Sequence, residues 1–117
     1  QVLTDVVRGA TYQMNSNNFQ AQTNRTDEVT SFDSDGFSVG NNGGTNRASN
    51  TYVGWAWKAG NTWQSNIDGT IPSTVNVNTA NGFSIVKWTG TGSNGTVGHG
   101  LSSTPELIIS KNIINIK

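Results

Sequence analysis

Helical periodicity is almost absent from this chain, and that limits its fold more than any other feature. Short β-branched and aromatic runs alternate with polar residues, and clusters of turn formers separate them. The pattern predicts an all-β chain of short strands. Asn, Thr, Ser and Gly number 16, 15, 12 and 14 of 117 residues, so the strands must be joined by many turns. Low charge with modest apolar content can also mark disorder, but four Trp, four Phe and two Tyr beside clustered Val and Ile argue for burial. Length allows one ordinary domain.

The clearest predicted hairpin is Val29–Phe32, the turn Asp33-Ser34-Asp35-Gly36, then Phe37–Val39, with Asp35-Gly36 expected to supply positive-φ positions. Thr51–Lys58 is predicted as a strand with Val53, Trp55 and Trp57 on one face, expected to be the core face. Residues 61–80 are mostly polar, carry Pro72 and read as a connector with one short strand near Ser73–Val77. Further strands are expected at Gly82–Trp88 and Thr96–Leu101, with the Gly-rich 89–95 between them as a hairpin loop. Leu107–Ile109, apolar at consecutive positions, is expected to be a strand buried on both faces and to run on toward Ile116. A short echo links Gly36-Phe37-Ser38-Val39 with Gly82-Phe83-Ser84-Ile85.

Composition narrows the functions. Only 12% of residues are charged and the formal net charge is zero, which gives no field for binding nucleic acid or an anionic membrane. Cysteine is absent, so disulfides, thiol nucleophiles and thiolate metal sites are excluded. No apolar run approaches the ~20 residues of a membrane helix, and no signal-peptide pattern opens the chain. Gln1 is not an initiator, which is compatible with an internal stretch of a longer protein.

Four pieces of the chain resemble tandem modules found in tail-fibre-like and other virion proteins of marine bacteriophages. They are Asp5-Val6-Val7-Arg8-Gly9-Ala10-Thr11, Phe32 through Gly40, Tyr52 through Gly60, and Asn78 through Asn112. The last is the most specific: it contains Asn81-Gly82-Phe83-Ser84-Ile85-Val86, Gly90-Thr91-Gly92, Val97-Gly98-His99-Gly100-Leu101 and Pro105-Glu106-Leu107-Ile108-Ile109 in the order and spacing of those modules. The resemblance implies an antiparallel β-sandwich of concanavalin-like jelly-roll character, located in a virion or outside the cell. Relative to those modules the order here is reversed, as if the second half of one module preceded the first half of the next. One module spanning 1–117 is therefore expected, with sub-segments 1–60 and 81–117 joined by 61–80. It would be permuted, with Gln1 and Lys117 close together, or strand-exchanged with neighbouring chains.

Candidate chemistry is sparse. His99 is the single histidine, so neither a triad nor a His-based metal site assembles around it. Between two glycines, it reads as a bend residue that hydrogen-bonds locally. Of seven carboxylates, Asp33 and Asp35 fall two apart in an exposed turn, where they are not expected to form the facing pair with one buried member that glycoside hydrolysis needs. Calcium is the better candidate ligand for Asp27, Asp33 and Asp35, because hard oxygen donors on loops suit that ion. An EF-hand is excluded: counted from Asp33, Ser38 stands where Gly is required and Gly44 where the bidentate Glu is required. Gly90–Gly95 lacks the Lys-Ser/Thr ending of a phosphate loop. Arg8 is expected to meet a backbone carbonyl or a carboxylate at a sheet end.

No catalytic residue is assigned, and no cofactor beyond the candidate calcium. The expected function is structural, a fibre or decoration module that associates with itself or with other virion proteins and takes part in host attachment. The alternative is a carbohydrate-binding module in which Trp63, Asn61 and Asn66 hold a host surface glycan, the indole against the sugar's apolar face and the amides on its hydroxyls.

Overall fold

The computed structural model describes residues 1–114. The chain is all-β with antiparallel sheets and a single four-residue helix among the described residues. It divides into two compact units, one built from Gln1–Gly54 with the described residues from Ile109 on, the other from Trp55–Ile108.

In the first unit, β1 (Val2–Asp5) and β2 (Gly9–Asn15) pair antiparallel, and β3 (Thr23–Asn24) adds to the other side of β2. The tight β1–β2 connection is set by Asp5. One carboxylate oxygen accepts the N–H groups of Val7 and Arg8, and Gly9 then takes a φ of 97° that other residues resist. β4 (Val29–Phe32) and β5 (Phe37–Val39) form the predicted hairpin, with Phe32 opposite Phe37 and Val29 opposite Val39. Neither Asp35 nor Gly36 has positive φ, contrary to expectation. The turn closes through the Asp33 N–H on Gly36 O at 2.9 Å, with the Asp33 carboxylate taking the Ser31 and Ser38 hydroxyls. Beyond β5, Gly40 and Asn42 donate to Glu28 O and Asp27 O. Only Gly fits at 40, since a Cβ there would fall onto Asp27 O. Asn42 then caps α1 (Gly43–Asn46) by accepting the Gly44 N–H. The returning chain is fastened by Gln22 N–H on Ile113 O and by Lys111 Nζ on Gln20 O.

In the second unit, β6 (Gln64–Asn66), β7 (Ser73–Asn78) and β8 (Phe83–Trp88) make a three-stranded meander in that order. Pairing of β7 with β8 is unbroken from Ser73 opposite Trp88 to Asn78 opposite Phe83. As the central strand, β7 is covered on both faces: Val75 and Asn76 are 2% and 3% exposed. The stretch read as a connector thus carries two strands: β7 is the short strand expected there, one residue longer than expected, whereas β6 was not expected, because Gln64-Ser65-Asn66 carries no apolar signal. Residues 89–95 do not form a hairpin loop. Val97 instead makes a parallel bridge with Ile71, locked by reciprocal backbone-to-hydroxyl bonds between Thr70 and Thr96.

Two further expectations are corrected. Thr51–Lys58 is not a strand, and Val53, Trp55 and Trp57 are exposed instead of facing a core. Leu107–Ile109 is likewise outside any strand and exposed. Both stretches have strand-like side chains but, among the described residues, no neighbouring strand to hold their backbone. The expected closeness of Gln1 and Lys117, and the run toward Ile116, involve positions outside the described residues. Among the described residues the buried apolar ones are few: Val29, Ala59 and Val75.

Candidate interaction surface

Val53, Trp55 and Trp57 expose 67–74% of their surface, and Leu107, Ile108 and Ile109 expose 75–78%. Strand residues that contribute to a core do not look like this. Trp57 does find one partner: its ring stacks on Phe83 with centroids 6.1 Å apart and planes 17° from parallel, which fixes the indole without covering it. Along 51–58 and 102–109 the backbone N–H groups make no hydrogen bond with any described residue. The result is two largely uncharged segments outside any strand, each ending in exposed apolar side chains, whose backbone N–H groups are open; of their carbonyls, Lys58 O accepts the Asn78 amide. Exposed apolar residues clustered in this way mark interaction surfaces.

The expected sugar-contacting residues are placed differently from one another. Trp63, just before β6, is 40% exposed, and Asn61 lies on the surface nearby in sequence. Asn66 is buried and committed: its amide donates to Asp68 Oδ2 at 2.9 Å, its carbonyl accepts the Asp68 N–H at 3.1 Å, and it fills the space beside Gly98, where a Cβ would collide with it. Buried and bonded in this way, it is not presented to a ligand. A shallow cleft of about 280 Å³ lies between Lys58–Asn61 and Val77–Ala80; Asn61 lines it and Trp63 does not. That cleft escaped the sequence reading because it forms between the end of β7 with the turn after it and a stretch some twenty residues earlier in the chain.

Of the candidate calcium ligands, Asp27 accepts the Asn42 amide at 2.8 Å, and Asp33 is held by Ser31 and Ser38. Asp35 makes no hydrogen bond to a described residue and is exposed. Among the described residues no three His, Asp or Glu side chains gather in a group able to hold a metal. Glu28 was missed. It is buried, one carboxylate oxygen has no partner, and the other lies against Gly44. Its neighbours on the chain, Asp27 and Val29, give no sign that this carboxylate turns inward.

Two local readings hold. His99 Nδ1 accepts the Leu101 N–H at 3.0 Å, the predicted local bond. Arg8 reaches both kinds of partner expected of it, the Asp5 carboxylate at 2.6 Å and Leu3 O at 3.2 Å. These groups brace the fold.

A family model described as a domain of unknown function, DUF7483, matches residues 1–117. No curated protein and no solved structure matches the chain. Among the described residues no helix is long and apolar enough to cross a membrane.

Proposed function

We propose, for a chain that belongs over its full length to the DUF7483 family, the role of a non-catalytic structural module of a bacteriophage virion, working through contact in a tail fibre, capsid fibre or decoration layer. The observation that carries this reading is the pair of exposed apolar segments around Trp55 and Ile108, set against a core of very few buried apolar residues. A chain so arranged gains its burial from neighbours. The resemblance of its motifs to virion modules supplies the setting, and the zero net charge and the lack of cysteine suit a part whose work is shape and contact. The concanavalin-type sandwich, permuted or completed by strands from other chains, is the architecture this role favours. The small antiparallel sheets seen here would be its pieces.

Quantitative mass spectrometry of gradient-purified particles tests the role. The expected result is this chain in multiple copies per particle, and antibody against it should decorate fibres or the capsid surface. Its consistent absence from infectious particles would overturn the reading.

The half-exposed Trp63 favours a second reading, glycan attachment, with Asn61 and the adjoining cleft providing polar contacts. On a glycan array, Trp63→Ala should then abolish a signal that Asn66→Ala, if it folds, leaves in place. Equal signals from wild type and Trp63→Ala would remove this alternative.

A further inference from the structure

We infer that the exposed apolar segments take a second copy of this same chain, residues 55–58 of one copy lying antiparallel to 106–109 of the other, with the contact repeated in reverse by two-fold symmetry. The inference rests on the assembly reading above and names its partner.

Three observations lead to it. The first is register. Lys58 and Glu106 are the only charged residues in the two segments, they have opposite signs, and among the described residues the one ion pair is Arg8–Asp5. Setting Lys58 opposite Glu106 in an antiparallel ladder places Trp57 opposite Leu107 and Trp55 opposite Ile109. Because side chains alternate, these two apolar pairs share one face, while Ala56–Ile108 and Lys58–Glu106 share the other. A parallel ladder with Trp55 beside Glu106 would separate the charges and put an indole against a carboxylate. The second is the backbone: the N–H groups of both segments are open, so a ladder would use donors that now face water.

The third is area. Trp55, Trp57, Leu107, Ile108 and Ile109 leave 67–78% of their surface open, and covering these five large side chains on each copy removes an area comparable to the ~800 Å² that each partner gives to an ordinary stable interface. With a net charge of zero, copies do not repel one another. A two-fold contact closes on itself, each segment being used once.

The absence of cysteine makes the test clean. Ala56→Cys and Ile108→Cys are made as separate single variants and mixed under mild oxidation. The mixture should give disulfide-linked dimer several-fold above either variant alone, and above Ala56→Cys mixed with Ser102→Cys, which is out of register. In sedimentation experiments Lys58→Glu and Glu106→Lys should each weaken self-association by roughly tenfold, and the double variant should recover most of that loss. Both positions lie on exposed segments, so unchanged circular dichroism at low concentration verifies the fold of each variant. A chain that stays monomeric to millimolar concentration overturns the inference. So does equal cross-linking in and out of register, or a doubly substituted chain that links 56 to 108 within one monomer. If the chain resides in particles but cross-links only to a different protein, the copy is the wrong partner and the assembly role stands. If it pairs with itself yet is missing from particles, the pairing stands and the role falls.

Discussion

Asp5 does more for the fold than any other single carboxylate described. It caps two backbone N–H groups and holds Arg8, whose side chain is only 6% exposed and still has one guanidinium nitrogen without a partner. Removing it strands a buried cation and opens the turn before Gly9. Asp5→Ala is therefore expected to lower unfolding free energy by about 2–4 kcal/mol in urea titrations, whereas Asp35→Ala, in an exposed turn, should change it by less than about 0.5 kcal/mol. At this scale the sequence was legible where a residue's partners lie within a few positions. Arg8 and His99 met groups of the expected kind because Asp5 and Leu101 are close by in the chain. It was not legible where the neighbour comes from afar. Asn66 has the alternation of a strand residue, but its burial is decided by Gly98, 32 positions on, which no local pattern reveals.

The two hairpins are the elements that local chemistry specifies best. Both place a four-residue loop ending in Gly before a Phe-Ser strand: Asp33–Gly36 leads into β5 and Thr79–Gly82 into β8. They nevertheless use their glycines differently. Gly82 has a φ of 62°, while Gly36 keeps to ordinary backbone with open space where a Cβ would be. Gly82→Ala is expected to cost about 1 kcal/mol or more, and Gly36→Ala to be neutral or to stabilise by up to about 1 kcal/mol by restricting the unfolded chain. Chemical denaturation of the two variants side by side gives the comparison, and a matching sign would contradict it. The strand β7 was foreseen to within one residue, β6 was not foreseen, and 51–58 was foreseen as a strand that does not form. Alternation reports that a segment can lie in a sheet. It does not report whether a neighbouring strand is there to receive it, and Trp55 and Ile108 show both faces of that distinction.

For the whole molecule, stability is expected to depend on protein concentration. A chain whose large apolar side chains find cover only in an assembly should show a thermal midpoint that rises by several degrees between micromolar and hundredfold higher concentration. Scanning calorimetry across that range, with a hydrophobic dye whose fluorescence per chain falls as concentration rises, measures both effects together. A midpoint independent of concentration would mean that the exposed segments stay exposed. The connectivity carries a consequence of its own. The first unit is assembled from both ends of the sequence, and its fastening bond from Lys111 to Gln20 spans 91 residues, while the second unit is one continuous stretch between them. On a ribosome the second unit has every residue it needs before the first unit does. The part made earliest must therefore wait, its edge near Gln20 and Gln22 unfilled, until the last part emerges to close it.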